Sequence, residues 1–123
     1  MLAVYVSGHG FGHSTRTAEV LAELRALEPA LPITVVTSAP AFLFDGLGAP
    51  VRALACAVGL VRQGARMIDE DATAAACEAF QEGWPALVEQ EALWLRQSGA
   101  RAVLGDIPPL AFAAAHAAGL PSI

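Results

Sequence analysis

Apolar positions follow two rhythms along this chain, and together they predict an alternation of strands and helices. Leu2-Ala3-Val4-Tyr5-Val6 is an unbroken apolar run of strand length, which fits a central parallel strand covered on both faces. The run passes into Ser7-Gly8-His9-Gly10-Phe11-Gly12-His13-Ser14, and helical spacing begins after it. Over 15–28, Val20, Leu21, Leu24 and Leu27 form one stripe, with Glu19, Glu23 and Arg25 largely off it. Ser14 or Thr15 is the expected cap of this helix. Pro29 and Pro32 end it and lead into a β-branched strand over 33–37. A short helix through Phe44, closed by Gly46 and Gly48, and a third strand over 51–56 follow.

The stretch 58–71 has no clean period. It carries Gly59, Gly64 and the charges Arg62, Arg66, Asp69, Glu70 and Asp71, and it reads as a long excursion of the kind often used functionally. Alanines predict a helix over 72–81. Gly83-Trp84-Pro85 predicts a break, and a second helix is expected over 86–97 with Trp84, Leu87, Val88, Trp94 and Leu95 facing the core. A strand over 102–105 ends at Asp106, and Pro108 and Pro109 suit the first turn of a helix running to Ala118. Leu120-Pro121-Ser122-Ile123 opens a fifth strand. The alternation predicts an α/β fold, a doubly wound parallel sheet of Rossmann-like type. Residues 1–123 are expected to form a single Rossmann-like domain, the front part of a longer protein, because the last strand is half built. Ligands of such sheets sit beyond the carboxyl ends of the strands, where the glycine loop and Asp106 both fall.

Charge and cysteine content narrow the function classes. Seven basic against twelve acidic residues leave a net charge of −5, which argues against a broad nucleic-acid surface. No apolar run is long enough for a membrane span, and the start lacks the basic and small-residue features of a secretory signal. Cys56 and Cys77 stand apart from each other and from histidine, and read as reduced, packed cysteines of a cytoplasmic protein.

The loop decides the rest. Gly8 and Gly10 fit a dinucleotide motif, but His13 occupies the third glycine position. Thr37-Ser38 stand where an acid would meet the ribose, so a nicotinamide cofactor is disfavoured. There is no Gly-Lys-Ser/Thr, so a P-loop is excluded. His9 and His13 share an i, i+4 spacing, but the glycines between them speak against a helical metal site. The favoured chemistry pairs His13 with Asp106: a carboxylate on one imidazole nitrogen fixes the tautomer, and the other nitrogen takes a proton from a hydroxyl. Plainer readings stand beside it. Asp106 before Ile107-Pro108-Pro109 is a natural N-cap, His13 could bond the helix start, His9 could be a packed loop residue, and Arg16 could be a solvated charge. His116 reads as structural or surface.

Val4-Tyr5-Val6-Ser7-Gly8-His9-Gly10-Phe11-Gly12-His13-Ser14-Thr15-Arg16 resembles the opening of GT-B-fold glycosyltransferases. It looks closest to the glycosyltransferase-like region of L-arabinokinases and their bacterial stand-alone relatives. Val103-Leu104-Gly105-Asp106-Ile107-Pro108-Pro109 is similar to a second segment of the same group. The resemblance implies the N-terminal half of a two-domain enzyme with its site in the interdomain cleft. This half would hold the acceptor, a small-molecule or lipid-linked sugar. A C-terminal domain absent from this chain would hold a nucleotide-sugar donor, so the chain alone is not expected to transfer sugar. By position, His13 becomes the base of an inverting transferase and Asp106 its support. Gly8, His9, Gly10, Gly12, Ser14, Thr15 and Arg16 become substrate-binding residues. No metal and no cofactor beyond the donor are implied, and peripheral contact with a membrane surface stays open. A non-catalytic sugar- or nucleotide-binding module of a larger enzyme is the rival expectation.

Overall fold

The computed structural model describes residues 1–64 and 67–123. Arg66, one of the charges in the expected excursion, lies outside the described residues. Four strands make one parallel sheet: β1 (Leu2–Val6), β2 (Ile33–Thr37), β3 (Val51–Ala53) and, further on, β6 (Ala102–Asp106). Their order across the sheet is β3-β2-β1-β6. Chain order runs outward in one direction from β1 through β3 and in the other through β6. The reversal point therefore lies between β1 and β6, where Val6 is level with Asp106.

The alternation of β1 explains the double winding. Ala3 and Tyr5 enter a core with Leu95, Leu110, Ala111 and Ala114 from α2 (Glu70–Gln97) and α3 (Pro109–Ala118). Val4 and Val6 enter the opposite core with Leu21 of α1 (Phe11–Leu27) and with Phe44 and Leu47 of a 3-10 helix, Ala41–Leu47. The unbroken apolar run is thus read on both faces, as a Rossmann-like α/β sheet requires.

Four expectations are corrected. First, α1 begins at Phe11 with Gly10 as N-cap and no side-chain cap, so neither Ser14 nor Thr15 caps it. Its buried line is Ser14, Thr17 and Leu21, while Val20 and Leu27 are exposed. Starting the helix inside the glycine loop turns small polar residues toward the sheet, where a close helix approach needs them.

Second, Gly83-Trp84-Pro85 does not break the chain into two helices. α2 is one helix of 28 residues with Pro85 inside it. Trp84, Leu87, Val88 and Trp94 pack against the core from one side of this helix, and Phe80 meets Trp84 edge to face at 5.7 Å. That packing outweighs the single backbone hydrogen bond proline forfeits. Third, the excursion contains an antiparallel ribbon, β4 (Arg62–Gln63) with β5 (Met67–Ile68), before Asp69 caps α2 by accepting from the Ala72 N–H at 2.9 Å. Fourth, Cys56 is buried but Cys77 is exposed, and both are free.

The third strand is shorter than expected, and the final segment lies parallel to β6 around a bridge between Val103 and Ser122, with the Gly105 N–H donating to the Ile123 carbonyl at 2.8 Å. Among the described residues no helix is long and apolar enough to cross a membrane.

Candidate functional site

The loop after β1 and the end of β6 meet at the reversal point of the sheet. The Ser7 N–H donates to the Asp106 carbonyl at 3.3 Å, which draws the two strand ends together. Gly10 then takes φ +81°, a left-handed conformation that side-chain-bearing residues rarely adopt, and the chain turns directly into α1. His13 lies in the first turn and reaches across to Asp106, Nδ1 to Oδ1, at 3.2 Å. The contact joins residues 93 positions apart in sequence.

Asp106 is the hub. Its Oδ1 also accepts from Arg16 Nη2 at 2.9 Å, and its Oδ2 accepts from Thr17 Oγ1 at 2.8 Å. Its side chain is 13% exposed, against 37% for His13 and 65% for Arg16. Burial works to raise the Asp106 pKa. Hydrogen bonds from Thr17 and His13, with the Arg16 charge, outweigh it and hold the carboxyl below the usual carboxylate range. An ionised Asp106 can only accept, so His13 Nδ1 carries the proton. In the neutral tautomer with that proton, the lone pair lies on Nε2. Arg16 Nη2 also lies 3.4 Å from His13 Nδ1, but the shorter contact sends its proton to Asp106.

The N-cap reading of Asp106 falls away: α3 starts from Pro108, with no side-chain cap, and the Asp106 carboxylate faces α1 instead. Ile107, between the two, has φ +85°, the one left-handed non-glycine residue among those described. A β-branched residue there is strained, and the site accepts that strain to turn the chain immediately after Asp106.

The remaining expected residues are not all brought to this hub. Ser14 is fully buried and its hydroxyl has no hydrogen-bond partner among the described residues. Thr15 Oγ1 donates back to the Phe11 and Gly12 carbonyls. Gly12 sits in the first turn of α1. Gly8, His9 and Gly10 line a separate cavity of about 520 Å³ with Leu60 and Arg62. His9 turns away from His13 and donates from Nε2 to the Ala57 carbonyl at 3.0 Å. Its ring rests on Gly59, where any Cβ would overlap it. Gly59→Ala is therefore expected to expel His9 from its bond to Ala57 without unfolding the chain. The check is the ¹⁵N shifts of the His9 ring, and an unchanged Nε2 signal would refute it. His116 is exposed near the end of α3. Among the described residues no group of three or more His, Cys, Asp or Glu side chains is placed to hold a metal ion.

Thr17 escaped the sequence reading. The signal was available: it lies one turn beyond His13 on the same helix face, and a small polar residue there can reach a carboxylate that His13 reaches. Arg16, readable as a solvated charge, is instead bound to Asp106.

The class the geometry defines is a Rossmann-like α/β domain with an imidazole held by a carboxylate at the reversal point of its sheet. The comparison with curated proteins narrows this. The chain is similar to L-arabinokinase of Arabidopsis thaliana, with 34% identity over 131 aligned positions. The alignment takes in 100% of this chain and 12% of that protein, so the chain is related to a small part of it. No protein-family model and no solved structure matches the chain.

Proposed function

We propose that this chain is the acceptor-side domain of an inverting GT-B-type glycosyltransferase that transfers a sugar from a nucleotide sugar to a hydroxyl acceptor. The observation that carries the reading is the His13–Asp106 pair at 3.2 Å, with the Asp106 carboxyl otherwise saturated by Thr17 and Arg16. His13 Nε2 takes the acceptor proton, and Asp106 holds the ring in that tautomer and balances the imidazolium that forms. The donor belongs to a second domain, consistent with a chain that spans only 12% of the length of its curated relative. Similarity to a sugar-phosphorylating enzyme by name supports a sugar as ligand.

Arg16 favours a second reading. Its guanidinium is mostly exposed and sits beside His13 at the start of α1, an arrangement that suits a ligand phosphate as well as a base. In that reading the chain is a sugar- or nucleotide-binding module of a larger enzyme. Calorimetry of the full natural protein with a panel of nucleotide sugars, run beside an assay for the glycosylated product, separates the two. Heat with product formation supports the transferase. Heat without product overturns it in favour of the module.

A further inference from the structure

A second cavity opens on the other side of Asp106. It encloses about 480 Å³ and is lined by Val58, Cys77, Phe80, Trp84, Ile107 and Pro109 among others. Its walls come from three places: the segment after β3, the middle of α2, and the turn that follows Asp106. Its lining contains no charged side chain, although the chain as a whole carries a net −5. Phe80 and Trp84 meet at 5.7 Å and 61° in this wall, so an edge-to-face aromatic pair borders the space. Ile107, the strained residue with φ +85° that follows Asp106, lines the cavity too. Ala57, whose carbonyl accepts from His9, lines the cavity as well.

From this geometry we infer that the cavity binds a neutral aromatic molecule bearing a hydroxyl, with the rings against Phe80 and Trp84. The uncharged walls select a neutral ligand, since an ion would lose its hydration without a partner. The compact volume suits one or two fused rings better than an extended chain, and a mostly apolar wall with few polar groups is the usual build of a small-molecule pocket. Naming this molecule as the sugar acceptor rests on the transferase reading above; its binding does not.

Cys77 reports on occupancy. Its thiol is exposed and lines the cavity, whereas Cys56 is buried and burial pushes its thiol up to about 12. Iodoacetamide should therefore alkylate Cys77 selectively. 2-Naphthol at about ten times its dissociation constant is expected to slow that alkylation by about tenfold, by mass action. Ile107→Asp should abolish the protection by placing a charge at the cavity wall. Aspartate tolerates the left-handed backbone better than isoleucine, so this variant is expected to keep its fold, checked by circular dichroism. An unchanged alkylation rate with 2-naphthol would overturn the inference, as would equal protection in Ile107→Asp. Protection by farnesol but not by 2-naphthol would overturn the aromatic assignment in favour of an isoprenoid chain. None of these outcomes depends on sugar transfer, so failure here and failure of the transferase reading are told apart.

Discussion

Replacing His13 with alanine is expected to lower sugar-transfer turnover by about 10²-fold or more while leaving the fold intact. The ring is partly exposed and its one strong contact is Asp106, which keeps Thr17 and Arg16 when the ring is removed. On the proposed transferase reading the loss should therefore fall on kcat, measured in the full natural protein, with the thermal midpoint as control. Unchanged turnover would remove His13 from the chemistry. Asp106→Asn provides an independent check, because an amide can no longer hold the Nδ1–H tautomer by charge. It should lower turnover with little change in binding of the acceptor. It also has a stability signature. Asp106 titrates below its ordinary value in the folded state, so its contacts stabilise the fold above the unfolded carboxylate pKa of about 3.9 and are lost as pH falls through the lower folded value. The stability deficit of Asp106→Asn at neutral pH should begin to shrink below about pH 4 and close once pH has fallen through the lower folded value. A deficit that persists there would mean that geometry, and not charge, is what Asp106 supplies.

The largest expected effect on stability lies elsewhere. Glu91 is fully buried on α2 and accepts two hydrogen bonds from Arg52 of β3, both at 2.7 Å, and one from the Tyr5 hydroxyl of β1 at 2.8 Å. Arg52 in turn lies 4.5 Å over the ring of Trp94. Burial, with the Glu91 charge adding to it, pushes the Tyr5 hydroxyl far above its ordinary value, so it stays a donor. Glu91→Ala leaves a half-buried guanidinium and a buried hydroxyl without their acceptor, and should cost about 3–5 kcal/mol. For a domain of this size that is an expected fall of about 10 °C or more in thermal midpoint. The double variant Glu91→Leu with Arg52→Leu should recover most of it, because an apolar pair needs no compensation. A small loss in Glu91→Ala, or no recovery in the double variant, would show that the network does not tie α2 to the sheet.

Glu91 was legible in part. It falls one turn from both Leu87 and Leu95, on the apolar side of a helix, where a carboxylate demands a cation. Nothing local says that the cation is Arg52, because that choice depends on β3 lying two places from β1 in the sheet. The same limit applies to Asp106. Its place after an apolar strand pointed to the ligand edge, but a cap and a partner of His13 look alike until the register of β1 against β6 is known.

Local chemistry alone determined the elements that are long or strongly patterned. The run 2–6 is apolar at every position and had to be covered on both sides. The β-branched 33–37 had to be a strand, and the glycine loop between a strand and a helix had to lie at the carboxyl edge. Those features carry the α/β class and the approximate place of the site. Tertiary packing decided what opposing local signals left balanced. It kept α2 whole through Pro85, because a row of aromatic and aliphatic contacts outweighs one missing hydrogen bond. It started α1 at Phe11, inside the glycines, which turned Ser14 inward and brought His13, Arg16 and Thr17 into reach of one carboxylate. Backbone preference is summed over neighbours in sequence, but a site is made by neighbours in space, and 93 residues of chain separate the two halves of this one.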